Sequence, residues 1–215
     1  MPVGDYVQAL GNPVKPPRIG LVRDFFYERA QEEVRRHTDT VVERLRHAGA
    51  SVEEFKLPGS FYDHVQACGV VHYAEAATFH HGMYTRNPSD YGPLLRRKIE
   101  FGLLIPAYQY LLAQQCRRRF QANMDRLLAS VDVLLTPATP SPAPRDLSTT
   151  GDPVFQASWT SGGFPTISIP SGLDASGMPL GIQLVGSLFA EERLLAVAQW
   201  CQKAIGVELV PTGLY

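Results

Sequence analysis

Apolar and polar positions along this chain follow several rhythms, and each rhythm predicts a different element. Residues 18–25 (RIGLVRDF) form a short apolar run of strand character. From residue 28 to 48, apolar side chains recur at Ala30, Val34, Val41, Leu45 and Ala48. Spacings of three, four and seven put them on one face of a helix, and Gly49 stands where that helix should stop. Residues 51–57 (SVEEFKL) predict a second strand, so the first third reads as a β-α-β unit with a right-handed crossover.

The middle third reads as helical. Residues 61–86 mix apolar and polar positions with Gly69 as the one interruption, 87–92 (NPSDYG) form a turn, and 93–102 form a short helix. Pro106 suits the first turn of a longer helix carrying Tyr108, Leu112, Cys116, Phe120, Met124 and Leu127. In the last third, residues 131–135 (VDVLL) predict a buried strand that runs into a proline-rich loop, 137–144. Residues 166–169 and 180–185 alternate like strands around a turn at 174–177 (DASG), a hairpin pattern. A closing helix over 191–205 puts Leu194, Ala198, Cys201 and Ile205 on one face. The predicted class is α/β, a mixed β-sheet flanked by helices, with residues 1–17 as a polar, proline-punctuated lead-in.

Composition supports one core-forming domain over residues 1–215, with 45% hydrophobic and 19% charged residues. Twenty basic and 21 acidic residues leave a net charge of −1, which gives no reason to expect nucleic acid or an anionic membrane as partner. The start carries no basic-then-apolar leader pattern, and no apolar run is long enough to span a bilayer, so a cytoplasmic protein is the expectation. Cys68, Cys116 and Cys201 lie far apart, which argues against a disulfide framework or a zinc ribbon; Cys116 and Cys201 read as small core fillers. The six histidines show no metal-ligand spacing, and no Gly-x-Ser-x-Gly elbow, Ser-x-x-Lys pair or phosphate loop is present. No metal and no cofactor are therefore expected.

Two segments stand out. Residues 131–144 (VDVLLTPATPSPAP), which contain Thr136, carry a strand straight into a rigid, donor-poor loop. Such a loop either covers the core or forms a wall at the strand's carboxyl end, where α/β sheets commonly place ligands. Residues 158–173 (SWTSGGFPTISIPSGL) hold Gly162 and Gly163 before a strand, with Trp159 in a polar run. This is either tight packing or a pocket lip with Trp159 or Thr160 facing substrate. Gln183, between Ile182 and Leu184, reads as a half-buried polar group that needs a partner, most simply a backbone group.

Together these segments resemble the C-terminal part of the amidase-signature family. The resemblance rests on DYVQALGNPVKPPRIGL (5–21), AEA (74–76), AYQYLLAQQCRRRF (107–120), VDVLLTPATPSPAP, SGGFPTISIPSGL and GMPLGIQLVG (177–186), in the family's order. It implies amide hydrolysis or transfer through a Ser–cis-Ser–Lys triad with an acyl-enzyme and no cofactor. The family's lysine and Gly/Ser signature have no match among these residues, so no catalytic residue is assigned. In the motif Ala-x-x-x-Arg, Ala113 and Arg117 match, and in glutamine-using relatives that arginine holds the substrate carboxylate. The acidic partner has no clean match, Asp152 being only nearby, and Arg117 reads equally as an interior salt-bridge residue. Arg117, Trp159, Thr160 and Thr136 are the substrate-binding candidates.

Three functions are open at this point. The chain is half of a split amidase acting on a small amide beside a separate N-terminal half, a non-catalytic truncated product, or a binding or self-associating domain that forms homo-oligomers. The isolated chain is expected to have no turnover.

Overall fold

In chain order the elements are α1 (Tyr6–Leu10), β1 (Arg18–Val22), α2 (Phe26–Arg29), α3 (Glu32–His47), β2 (Ser51–Phe55), α4 (Gly59–Arg86), α5 (Pro93–Leu103), α6 (Ala107–Leu128), β3 (Val133–Pro137), α7 (Val154–Gly162), β4 (Thr166–Leu173), β5 (Pro179–Val185) and α8 (Glu191–Ile205). A short 3-10 turn, Pro88–Asp90, precedes α5. The computed structural model describes residues 5–10, 14–145 and 149–208. They divide into two compact units, one holding residues 1–57 and 125–215 and the other residues 58–124.

The first unit is an α/β layer on a five-stranded mixed sheet of order β2-β1-β3-β5-β4. β1 runs parallel to β2 and to β3, whereas β5 runs antiparallel to β3 and to β4. The parallel β1–β2 pair, with helices between, is the arrangement the first third predicts. Side chains alternate across the sheet. Ile19, Leu21, Val133, Leu135, Ile182 and Leu184 therefore share a face, packed with Val41 and Leu45 of α3 and Leu194, Val197 and Cys201 of α8. In α3, Glu32 and Glu33 open the helix while Arg44, Arg46 and His47 close it, each sign matching the helix dipole.

Several boundaries differ from the sequence expectation. The first strand stops at Val22 rather than at residue 25, because the chain turns at Asp24, whose carboxylate accepts from Lys56 Nζ at 2.8 Å and from the Leu57 N–H at 3.2 Å. Phe25, at φ 60°, and Phe26 then drop into the core. The helix expected over 28–48 is split into α2 and α3 by extended backbone at Ala30 and Gln31, and the freed Gln31 N–H donates to the Pro140 carbonyl at 2.8 Å. The lead-in contains the helix α1, which lies against α8; residues 1–4 and 11–13 fall outside the described residues. β3 begins two residues later than expected and includes Thr136 and Pro137. A further unforeseen element is α7, which overlaps the start of the segment read as a glycine-marked lip.

The second unit is helical, as its sequence predicts. Gly69 does not interrupt α4, which runs unbroken for 28 residues. Gly102 is where α5 meets α4: a methyl group there would overlap the Tyr73 carbonyl and stand 2.8 Å from Ala77 Cβ.

Candidate functional site

The proline loop takes its shape from the end of β3. Ala138 extends the pairing with β5 by donating its N–H to the Gly181 carbonyl at 3.1 Å. Because successive residues of a strand point their backbone groups to opposite sides, Pro137 turns its nitrogen toward the β1 side. The last β1–β3 pair is Leu21 with Leu135, and Pro137, which has no N–H, does not extend that ladder. Beyond it, the Ala138 carbonyl accepts from the Gln156 side chain, the Pro140 carbonyl from Gln31, and the Ser141 carbonyl from the Thr139 hydroxyl at 2.7 Å. Donors from other elements thus hold a loop that has few of its own.

A cavity of ≈ 450 Å³ opens against this loop, with Thr139, Pro142, Asp152, Gln156, Ser168 and Gly181 among its lining residues. It lies at the carboxyl end of β3, where the wall reading of the loop places a ligand. Gly181 keeps the floor open, since a Cβ there would stand 3.2 Å from Ser168 Oγ and 3.5 Å from Ala138 Cβ. Asp152 starts α7 by accepting the Val154 N–H at 3.0 Å, and Gly163, at φ 75°, ends it in the left-handed region. Gln156, Ser168 and Gly181 could not be picked from the sequence. They converge only through the register of β4 against β5 and the existence of α7.

Of the four expected substrate-binding residues, three lie in this unit. Thr136, at the end of β3, is fully buried; its hydroxyl donates to the Pro137 carbonyl at 3.0 Å and accepts from Gln183 Nε2 at 3.2 Å. Gln183 also reaches the Phe155 carbonyl at 3.3 Å, so it is fully rather than half buried and has a side-chain as well as a backbone partner. Trp159 does not sit on a lip: it has no exposed surface, stacks on Phe26 with centroids 6.0 Å apart, and meets Phe164 edge-on. Helical spacing turns it inward with Phe155, and that spacing leaves Thr160 exposed on the same helix.

Arg117 belongs to the second unit, on α6. Its guanidinium approaches Glu75 of α4 at 3.8 Å, which joins the two sequence motifs AEA and Ala-x-x-x-Arg. The contact is long, Glu75 is half exposed, and Arg117 Nε is buried with no hydrogen-bond partner. A guanidinium with spare donors is suited to a carboxylate-bearing ligand.

All three thiols are free, and burial pushes Cys201 up to about 12, which suits a core filler. Among the described residues no group of three or more His, Cys, Asp or Glu side chains is placed to hold a metal ion. No helix among them is long and apolar enough to cross a membrane.

The chain has relatives among known proteins. The family profile described as Amidase matches residues 1–195. A glutamyl-tRNA(Gln) amidotransferase subunit of Methylorubrum extorquens (strain PA1) is 34% identical over 239 aligned positions, covering 96% of this chain and 48% of the relative. A crystal structure of an amidase superimposes with a TM-score of 0.81 at 27% identity, covering 89% of this chain and 46% of that one. The corresponding glutamyl-tRNA(Gln) amidotransferase subunit of Thermotoga maritima shares the fold at a TM-score of 0.60 and 24% identity, over 85% of this chain and 41% of that one. The chain spans about half the length of the curated relatives it matches.

Proposed function

The chain belongs to the amidase family, and from that premise we propose that it forms the substrate-side half of an enzyme cleaving amide carbon–nitrogen bonds. The Ser–cis-Ser–Lys triad that the family resemblance implies would stand on the half of the fold these 215 residues do not match. The observation that carries this reading is the cavity at the carboxyl end of β3, which is walled by the proline loop and lined by polar groups that include the Asp152 carboxylate. Thr139, Ser141, Gln156, Ser168 and the Asp152 carboxylate offer hydrogen-bonding groups among prolines and alanines, a setting that suits a small amide.

In this reading the chain binds and orients, while the nucleophile comes from the complementary half. Thr160 is retained as a contact on the exposed side of α7, and Thr136 acts by fixing the end of β3 through Gln183. Trp159 contributes packing that holds α7 in place. Arg117 is assigned to a carboxylate on the substrate, with Glu75 as its resting partner. The balanced charge supports a small-molecule substrate over nucleic acid or membrane, and three free thiols suit the cytoplasm.

The test is complementation. This chain is mixed with the unmatched portion of the M. extorquens relative, and hydrolysis of a small amide is followed with wild-type chain and with Gly181→Val. Turnover by the wild-type mixture that falls at least about tenfold with Gly181→Val supports the cavity as the substrate wall. Equal turnover by both removes it.

A further inference from the structure

The helical unit holds a cavity of its own, of ≈ 850 Å³, within the size range of small-molecule sites. It opens between α4 and the α5–α6 connection, with Phe79, Leu103, Ile105 and Ala107 on its walls. Phe79 is 74% and Leu103 48% exposed, so large apolar groups stand in water round the opening. Apolar side chains gathered in this way mark a surface that binds something.

The polar groups decide what kind of ligand fits. The Thr78 hydroxyl is engaged within α4, donating to the Ala74 carbonyl at 2.8 Å, and the Tyr110 hydroxyl accepts from Gln114 Nε2 at 2.8 Å. His81, also on the wall, is exposed. Glu75 is the lining carboxylate, and the Arg117 guanidinium stands 3.8 Å from it. Arg117 Nε is buried and has no hydrogen-bond partner. Arg118 and Arg119 follow it, and α6 has no acidic residue before Asp125, so the local field favours an anion. Tyr110 lies seven residues before Arg117, hence on the same side of α6 and about 10 Å along its axis.

We propose that the helical unit binds a monocarboxylate carrying an apolar aliphatic chain. Its carboxylate pairs with Arg117, and its chain runs along α6 into the cavity toward Tyr110 and Ile105. Glu75, half exposed and only loosely paired, turns to solvent as the ligand takes the guanidinium. A neutral chain would leave the Arg117 donor unmet, and a small polar acid would leave the apolar walls wet. The proposal rests on the carboxylate role given to Arg117 in the proposed function and narrows it: the acid arm is aliphatic, unlike that of glutamine.

The experiment titrates octanoate, butanoate and 1-octanol into the full chain by calorimetry. Octanoate is expected to bind once per chain, at least about tenfold more tightly than butanoate, which lacks the chain, and than 1-octanol, which lacks the charge. Thr78→Trp places an indole in the cavity from an exposed position and should weaken octanoate at least about tenfold with an unchanged thermal melt. Arg117→Gln should reduce octanoate to the level of 1-octanol. No octanoate binding by the folded chain, equal binding of octanoate and 1-octanol, or wild-type affinity in either folded variant overturns the site. The octanoate titration is then repeated with the unmatched portion of the M. extorquens relative added. Turnover of a neutral amide with octanoate binding lost overturns the site and leaves the proposed function standing. Octanoate binding retained without any amide turnover overturns the proposed function and leaves the site standing.

Discussion

Gln183 Nε2 donates to the Thr136 hydroxyl at 3.2 Å, a side-chain bond between paired residues of β3 and β5 on the face opposite α3 and α8. Both residues are buried, so the bond has no water to replace it. Gln183→Leu leaves the Phe155 carbonyl without this donor and should cost about 1–3 kcal/mol in denaturant unfolding. Paired with Thr136→Val in a double-mutant cycle, the coupling should be about 0.5–1.5 kcal/mol; additive single effects would mean that the bond contributes nothing.

Two glycines of the helical unit should respond with opposite signs. Gly69 lies inside α4, where a Cβ would find Tyr73 Cε2 at 3.9 Å, an ordinary contact. Gly69→Ala should therefore stabilise by about 0.5–1 kcal/mol through helix propensity. Gly102→Ala drives its methyl into the Tyr73 carbonyl and should destabilise by about 1–3 kcal/mol or more. Thermal melts of both variants check the pair.

His37 gives the fold a pH dependence with a definite sign. Its Nε2 lies 2.8 Å from Ser171 Oγ, and burial first, then the Arg44 charge, holds its imidazole below its ordinary value of 6.5. Between the folded and unfolded values, the unfolded chain binds more protons. The contribution is thus fully present above about 6.5 and is lost as pH falls from there through the lowered folded value. Unfolding measured from pH 8 downward should show this slope in the wild type and lack that component in His37→Gln.

Arg117 separates a structural role from a substrate role. Its ion pair with Glu75 is long and partly exposed, so Arg117→Ala should change stability by less than about 1 kcal/mol. In the complemented enzyme the same change should raise KM at least about tenfold for an amide bearing a carboxylate and leave a neutral amide unaffected. Equal loss on both substrates would assign Arg117 to structure alone.

The sequence made the mixed α/β sheet, the β4–β5 hairpin and α8 legible because each has a clear period. Leu194, Ala198, Cys201 and Ile205 are all buried on α8 as their spacing predicts. α7 was hidden because its buried positions, Phe155, Ser158, Trp159, Ser161 and Gly162, include three small residues that carry no hydrophobic signal. The break at Ala30 and Gln31 was hidden because its cause is distant in sequence, the Pro140 carbonyl. The cavity was legible as a wall through its prolines, but Ser168, Gly181 and Gln156 meet only through strand register and a helix the pattern did not reveal.

The central claim is that this chain supplies the substrate wall and not the nucleophile. Amide hydrolysis measured with the purified chain alone, and then with the unmatched portion of the M. extorquens relative added, tests it most directly. No turnover is expected from the chain alone, and turnover is expected in the mixture. Turnover by the chain alone that persists after contaminating amidase is excluded would place the nucleophile within these residues and contradict the claim.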